Sequence, residues 1–400
     1  MSDQGIAQYH MRPVVQVGPG AIAGIPTLFK GAGAGRVVLL SDAGLTAAGI
    51  VDKVAKVFAG ESAADGVELA GIFTEIAENS SCRSVDEAVR YAKGLDADGI
   101  LAVGGGSVLD AAKGIKYCLH HGLDDMAEVM KDGLKLVAWP EAQPTGIAHV
   151  AVPTTAGTGA EVSAAAVFYN ERNNLKCNLV APFIEADFAV LDAELTLGLP
   201  PHLTASTGMD AMTHALEAIC SPIATPLTDA HAFAAAQLIE RTLPIAVRNG
   251  QDLQARQTML QASSMAINAF INALNAIPVH NCSHAFGGLY QVPHGEANCA
   301  LLPIVMEAMP DYYRPQARRL AKGLNMNVDD QDDGAVLGKV IARLRAFQSE
   351  IGGSPDFARF GITTADVPKI VSAIESDPAG VFYAIPRESV QMIAERVIGR

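Results

Sequence analysis

Three of the ten histidines in this 400-residue chain lie within the 15 residues 280–294, in the run IPVHNCSHAFGGLYQVPHGEAN. His280 and His284 are four residues apart, a spacing that puts both on one face of a helix, and His294 follows a proline. Imidazole binds divalent metals and exchanges protons near neutral pH. The cluster therefore indicates a metal site or a proton-transfer site.

A second pair at the same spacing, Asp210 and His214, lies in GMDAMTHALEA, whose composition predicts a helix. The alternative is a local Asp–His hydrogen bond, with His214 packed as a core residue. Taken with the cluster, the pair supplies one carboxylate and up to four imidazoles, a set that suits a divalent transition metal. Cys282 is predicted to face away from His280 and His284, and we interpret it as a core residue.

Two glycine-rich turns, in ILAVGGGSVLDAAK and VPTTAGTGAE, each follow an apolar run typical of a buried strand. Glycine lets the backbone approach a ligand closely, and a following helix offers free N–H groups and the positive end of its dipole. The alternative is an ordinary tight turn, but two such turns in one sheet favour a dinucleotide crevice. We assign to cofactor binding the following residues of the turns and of the helix after the first: Gly104, Gly105, Gly106, Ser107, Asp110, Thr154, Thr155, Thr158 and Gly159.

Asp42 ends the apolar run VVLLSD. A carboxylate at the end of a strand can accept hydrogen bonds from an adenosine ribose, and it repels the 2′-phosphate of NADP. We therefore add Asp42 to the cofactor-binding residues and expect NAD to be preferred over NADP. The residues leave open the alternative that Asp42 caps the N-terminus of the next helix.

The elements that must position these residues differ between the two halves of the chain. The first half alternates β-branched runs such as GRVVLLSD with helix-length segments such as SVDEAVRYAKGL, which predicts a parallel sheet with helices on both faces. From about residue 195 the segments are long, alanine-rich and apolar at helical spacing, which predicts an all-α second half. We therefore expect a dinucleotide-binding α/β domain over residues 1–195, and an α-helical metal-binding and catalytic domain over residues 196–400.

Composition excludes several other classes of protein. The net charge of −14 argues against nucleic acid as a partner. No run of about 18 apolar residues predicts a membrane-spanning helix, and MSDQGIAQYHMRP lacks the basic and apolar regions of a secretory signal. Six cysteines without a CxxC pair are typical of reduced thiols, so we expect a cytoplasmic protein.

Four segments, in order along the chain, resemble successive motifs of the iron-containing, group III metal-dependent alcohol dehydrogenases: GGGSVLDAAK, PTTAGTGAEVS, GMDAMTHALEA and HNCSHAFGGLYQVPHGEAN. The resemblance covers nearly the whole chain. It implies that family's dehydroquinate-synthase-like fold, a Rossmann-like N-terminal domain with a parallel sheet followed by an α-helical C-terminal domain. It also implies one metal ion held by Asp210, His214, His280 and His294, with His284 beside the nicotinamide as the catalytic residue.

The resemblance implies Fe2+, Zn2+ or another divalent metal as one cofactor and NAD, or else NADP, as the other. A divalent metal acts as a Lewis acid that lowers the pKa of an alcohol, and hydride then passes from the alkoxide to nicotinamide C4. His284 is the candidate for proton transfer or for positioning the substrate. We expect an alcohol or aldehyde of low molecular mass as the substrate, and a homodimer or larger homo-oligomer.

The chain departs from the family pattern where HNCSH replaces the more usual HAMAH or HGMAH. Asn281 and Cys282 leave the proposed ligands intact but alter the pocket wall. After them, Gly287 and Gly288 are expected to let the chain turn back so that His294 reaches the metal.

No Lys or Arg occurs between Arg256 and Arg314, which favours a neutral substrate over a polyanion. This gap argues against a dehydroquinate-synthase-like lyase. The complete ligand set argues against both that lyase and a glycerol-dehydrogenase-like enzyme. The remaining alternative is a metal- or nucleotide-binding protein without catalysis, against which the presence of all ligands and both turns argues.

Overall fold

The computed structural model describes residues 7–59, 66–138, 141–328 and 332–398. Within these ranges the chain forms two compact units, one over Met11–Leu199 and the other over residues 200–398 together with residues 7–10. No helix among the described residues is long and apolar enough to span a membrane. Residues 1–6, which form part of the segment judged not to be a secretory signal, lie outside the described residues.

The first unit is built on a parallel sheet. Six strands follow one another across it in the order β1-β9-β6-β4-β2-β3, and every pair of neighbours is parallel. A smaller sheet contains the strands β5, β8 and β7. The strand bounds are β1 Val14–Val17, β2 Arg36–Leu40, β3 Glu68–Phe73, β4 Gly99–Gly104, β5 Leu134–Leu136, β6 Ala148–Pro153, β7 Ala165–Asn170, β8 Leu175–Val180 and β9 Phe188–Leu191.

Helices cover both faces of the main sheet, because alternate side chains of each strand point to opposite sides. Val37 and Leu39 of β2 pack into the apolar cluster that contains Phe29. Val38 and Leu40, one residue out of phase, pack into the cluster that contains Ile115. The helices of this unit are α1 Ile25–Gly31, α2 Ala43–Ala47, α3 Ile50–Ala55, α4 Cys82–Gly94, α5 Gly106–His121 and α6 Met126–Val129.

The described residues of the second unit form helices joined by turns and irregular segments, with no strand among them. Its helices are α7 Pro201–Cys220, α8 Pro226–Arg248, α9 Leu253–Asn272, α10 Pro278–Tyr290, α11 His294–Ala308, α12 Pro310–Tyr313, α13 Ala317–Gly323, α14 Asp333–Glu350, α15 Val367–Ser376 and α16 Arg387–Val397. Proline occupies the first helical position of α7, α8 and α10, where its missing N–H costs no hydrogen bond.

Helix α7 is the centre of this second unit and packs against α8, α9 and α11. Small residues allow close packing around it. A Cβ atom added at Gly208 would lie 2.3 Å from a methyl carbon of Leu243 in α8. Most of α7 is therefore buried, including the positions of Asp210, His214 and Glu217. Polar side chains at these positions need partners within the protein or a bound ion.

Candidate active site

The two glycine-rich turns and Asp42 follow the carboxyl ends of three neighbouring strands, β2, β4 and β6. Leu40 of β2 is paired with Ala102 of β4, and Gly104 of β4 is paired with Pro153 of β6. The chain runs outward from β2 to β3 and then returns to β4 on the other side of β2. In parallel sheets, ligands bind at the carboxyl ends of strands where the order reverses in this way.

Glycine in the first turn is required by close packing. A Cβ atom at Gly104 would lie 2.5 Å from Val108, and one at Gly106 would lie 2.7 Å from the side chain of Thr158. Helix α5 begins at Gly106, and its N-cap residue, Gly105, has no side chain that could cap it. Its first N–H groups and its dipole can therefore stabilise an anion such as a pyrophosphate.

Polar residues of these turns also have contacts within the protein. Ser107 Oγ accepts a hydrogen bond from Asn79 N at 3.1 Å. Thr154 N donates to Gly104 O at 3.0 Å and so joins the two turns. Thr158 Oγ1 accepts from Ala160 N at 3.3 Å. The turns are thus held rigidly against each other, which preorganises any ligand site that they form.

The two carboxylates predicted to bind the cofactor have clear structural contacts. Asp42 Oδ1 accepts from Leu45 N at 2.9 Å and caps α2, as the alternative interpretation proposed. Asp110 contacts the Lys113 ammonium at 3.0 Å and accepts from Val167 N at 3.0 Å. The hydrogen bond from Val167 attaches α5 to β7. The assignment of either carboxylate to the cofactor stays a prediction.

In the second unit, three of the four predicted metal ligands converge. Asp210 of α7, His280 of α10 and His294 of α11 present ligand atoms that all lie within 4.8 Å of one another. Asp210 Oδ1 lies 3.6 Å from His280 Nε2 and 3.5 Å from His294 Nε2. Bonds of about 2.1 Å to a tetrahedral ion would separate neighbouring ligands by about 3.4 Å, so the spacing fits a divalent metal.

Backbone packing positions the third of these ligands. A Cβ atom at Gly295 would lie 2.4 Å from the carbonyl oxygen of Ser206. Only glycine therefore lets the first turn of α11 approach α7 so closely, and this approach brings His294 to Asp210. The His294 side chain is 29% exposed, whereas those of Asp210 and His280 are 3% and 4% exposed. The cluster is thus accessible on the His294 side.

The predicted fourth ligand has a different arrangement. His214 lies one turn after Asp210 on α7, and its ring stacks on that of His280 with 4.6 Å between centroids. Phe270 packs against both rings at 4.8 Å. In the described residues, the group of converging ligand atoms consists of Asp210, His280 and His294 without His214. Its assignment as a ligand stays a prediction.

Two side chains outside the converging group, Glu217 and Ser283, contact the Nδ1 atoms of its imidazoles and hold the rings in place. The sequence did not reveal either of them. We call such side chains outer partners. Glu217 accepts from Val279 N at 2.7 Å and contacts His280 Nδ1 at 2.5 Å. Ser283 Oγ lies 3.1 Å from His294 Nδ1. Partners of this kind fix the orientation of a metal-binding imidazole. The available signal was spacing, because Glu217 lies seven residues after Asp210 on the same helix face.

Asn298 is the third outer partner and was also missed. Its side-chain nitrogen donates to Asp210 Oδ1 at 2.7 Å and lies 3.3 Å from the Nε2 atoms of both His280 and His294. Asn298 is one helical turn after His294 on α11, and it is completely buried. Each of the three converging residues therefore has a polar neighbour that restricts its orientation.

The electrostatics of the cluster call for a positive charge. Burial opposes ionisation of Asp210, but the imidazoles of His214, His294 and His280 outweigh it and hold the pKa of Asp210 well below its ordinary value. Burial lowers the pKa of His280, but Glu217 and Asp210 outweigh it and raise that pKa to about 9. The two buried carboxylates are therefore stabilised by positive charge, which either a proton on His280 or a divalent cation beside neutral imidazoles can supply.

His284 lies one turn beyond His280 on α10 and outside the group of converging atoms. Its Nδ1 atom lies 3.3 Å from Asp377 Oδ1, and its ring is 5.6 Å from that of His294.

Cys282 is completely buried, as the sequence predicted. The predicted turn at Gly287 and Gly288 is wrong, because both residues continue α10. The chain reverses instead at Gln291, with φ of 56°, before Pro293 begins the approach to α11.

Two family models match the chain. The model described as iron-containing alcohol dehydrogenase matches residues 13–193, and that of the C-terminal region of the same family matches residues 204–397. The chain belongs to the iron-containing alcohol dehydrogenase family. This finding confirms the predicted family and the predicted function of a metal-dependent, nicotinamide-linked alcohol dehydrogenase.

Three curated relatives, each about a third identical in sequence to this chain, match most of its length. The long-chain-alcohol dehydrogenase 1 of Geobacillus thermodenitrificans is 32% identical over 89% of this chain and 87% of its own length. The NAD-dependent methanol dehydrogenase of Bacillus methanolicus is 32% identical over 90% and 91%. The 1,3-propanediol dehydrogenase of Citrobacter freundii is 35% identical over 93% and 92%.

Solved structures confirm the predicted fold. A crystal structure of 1,3-propanediol oxidoreductase matches with a TM-score of 0.86 at 31% identity, covering 98% of this chain and 100% of that one. The alcohol dehydrogenase from Oenococcus oeni matches with a TM-score of 0.87 at 29% identity and the same coverage.

We expect replacement of His280 or His294 by Ala to reduce bound metal to below about a tenth of the wild-type content, because each supplies a ligand atom. Metal analysis of anaerobically purified protein measures this directly. The exposed His202 on α7 is the control, since His202→Ala should keep the full metal content. Wild-type metal content in both ligand variants would contradict the assignment.

We expect Glu217→Gln to weaken metal binding by about 10- to 100-fold, because the variant loses the charge that orients His280. The dissociation constant from competition with a chelator gives the measurement. Glu388→Gln, at an exposed position on α16, serves as the matched control. An unchanged dissociation constant in a correctly folded Glu217→Gln protein would show that Glu217 has no influence on the metal.

Proposed function

We propose that the chain catalyses reversible hydride transfer between a small neutral alcohol and NAD, with the metal held by Asp210, His214, His280 and His294. The convergence of Asp210, His280 and His294, open to solvent only on the His294 side, carries this proposal. When bound, a divalent metal supplies Lewis-acid chemistry that lowers the pKa of the alcohol. Iron is the metal named by the family, and a site of imidazoles and a carboxylate also accepts zinc.

The side chains of the protein orient and restrict the reactants in this proposal. Glu217, Ser283 and Asn298 keep the converging residues in one geometry, so little reorganisation is needed when substrate binds. His284 transfers a proton to or from the reacting oxygen, or positions the substrate beside the nicotinamide. The turns after β4 and β6 bind the pyrophosphate, and Asp42 binds the adenosine ribose.

The substrate class rests on charge. The absence of Lys and Arg between Arg256 and Arg314 favours an uncharged alcohol or aldehyde. The relatives at 32–35% identity carry names that range from methanol to long-chain alcohols, so their similarity does not choose a chain length. A glycerol-dehydrogenase-like or dehydroquinate-synthase-like reaction on the same fold, or binding without turnover, would be alternative functions.

We assign the dinucleotide to residues 1–195, and the metal and catalysis to residues 196–400. We also propose a cytoplasmic location and a homodimer or larger homo-oligomer. The location is supported by the six cysteines, which are all buried free thiols. In addition, burial raises the pKa of Cys177 to about 11, which keeps that thiol protonated and unreactive.

The direct test is NADH formation by anaerobically purified protein with a panel of neutral alcohols, before and after treatment with a chelator. We expect the chelator to abolish at least about 90% of turnover, because Lewis-acid activation of the hydroxyl is lost. Addition of Fe2+ or Zn2+ should restore it. Full turnover by protein shown to be metal-free would contradict the proposal, and nucleotide binding without any turnover would favour the non-catalytic alternative.

We expect Asp42→Gly to raise the ratio of kcat/KM for NADP to that for NAD by about tenfold, since repulsion of the 2′-phosphate is removed. Glycine is a tolerable N-cap, so the loss of stability should be only a few tenths of a kcal/mol. Asp125→Gly is the matched control, because Asp125 caps α6 in the same way. A wild-type preference for NADP would refute the role of Asp42.

A further inference from the structure

The imidazole of His284 has an acidic neighbour from a distant part of the chain. Its Nδ1 atom lies 3.3 Å from Oδ1 of Asp377, 93 residues later. The two side chains are 10% and 11% exposed, so water screens their interaction only weakly. Asp377 precedes the short 3-10 helix Pro378–Val381, and its Oδ1 atom also accepts from Ala379 N at 2.9 Å. The carboxylate is therefore held by its own backbone turn while it faces His284.

A second side chain fixes the segment that carries Asp377. Asn281, which is 3% exposed, accepts from Gly380 N at 3.0 Å and donates to Ile374 O at 3.0 Å when its amide is oriented to satisfy both groups. These partners lie three residues before and three residues after Asp377. A Cβ atom at Gly380 would lie 2.7 Å from the end of the Asn281 amide that faces it, so glycine is favoured there. Asn281 thus holds both sides of the Asp377 segment.

Asn281 and His284 are three residues apart on α10, a spacing that puts them on the same helix face. That face contacts the residues around Asp377 at two places: the amide holds the backbone and the imidazole meets the carboxylate. The departure of HNCSH from the more usual family sequence therefore affects the surroundings of His284. The unusual asparagine after the first histidine anchors the segment that supplies a carboxylate to the second.

We propose that Asp377 is a positioning residue for His284, and that Asn281 holds Asp377 in place. The carboxylate accepts the Nδ1 proton of His284 in a hydrogen bond, which fixes the ring orientation and leaves Nε2 as the nitrogen presented to the reacting groups. No proton has to reach Asp377 for this role. The inference rests on the proposed function of His284 and adds the residues that determine its geometry.

The experiment is a double-mutant cycle on the metal-loaded enzyme at one fixed pH. We expect Asp377→Ala to lower kcat by about tenfold or more, with the KM for NAD changed less than about twofold, because orientation at the reacting centre is lost. In a His284→Ala background, Asp377→Ala should lower kcat no further. Asn281→Ala should lower kcat in the same direction and should also be non-additive with Asp377→Ala.

Two further variants separate positioning from folding. Asp377→Asn keeps the size of the side chain and an oxygen for Ala379 N, so it should fold, yet it should still lower kcat because the amide does not fix the Nδ1–H tautomer. Asp366→Ala removes a half-buried carboxylate that accepts from Thr363 N in the turn before α15, and it is the matched control, with unchanged kcat expected. Metal content and thermal midpoint are measured for every variant, and metal content should stay at the wild-type level.

A readout independent of turnover is the 15N chemical shift of the His284 ring in zinc-loaded protein, assigned by its absence in His284→Ala. Wild-type protein should show the Nδ1–H tautomer, and both Asp377 variants should show a mixture. Wild-type kcat in folded Asp377→Asn, additive effects in the cycle, or loss of metal from the Asp377 variants would overturn the inference. Full turnover in His284→Ala would instead overturn the proposed role of His284 itself.

Discussion

The buried carboxylate of Asp210 is the constraint on which the second unit depends. It is buried on the most central helix of the unit, with a second buried carboxylate, Glu217, two turns later on the same face. Such groups are stable away from water only with compensating positive charge and full hydrogen bonding. The imidazoles and Asn298 provide part of that compensation, and the donor set is the one that a divalent cation would complete. Helices α10 and α11 have to meet α7 at this point for the same reason.

The outer partners, which lie on the three helices α7, α10 and α11, all orient the converging side chains. Glu217 orients His280, Ser283 orients His294, and Asn298 orients Asp210, so each converging residue is restricted by a side chain from another element or another turn. A change in any of them leaves the ligand atoms present but less well ordered. Sites of this kind usually lose affinity or rate by one or two orders of magnitude when such a partner is removed.

The sequence was most informative where one helix or one strand–turn–helix unit carries the signal. Spacing by four residues pointed to Asp210 and the histidine cluster. The alternation of β-branched runs with helix-length segments predicted the parallel sheet. The sequence could not identify Asp377 or Asn298, because their roles arise only when separate helices pack together. The turn before His294 was misjudged since glycine suggests a break, whereas Gly287 and Gly288 lie inside α10 and Gln291 adopts the left-handed conformation.

The backbone of Gly295 in α11 approaches the backbone of Ser206 in α7, and this approach fixes the position of His294, the most exposed of the three converging residues. His294 stays in place whatever residues surround the opening, because its Cα is fixed by the meeting of two helices. Substitutions around the opening can then change its shape without displacing the three converging residues. The relatives of this chain carry names that range from methanol to long-chain alcohols, and an opening that changes its shape while the cluster is retained would accommodate such differences in substrate.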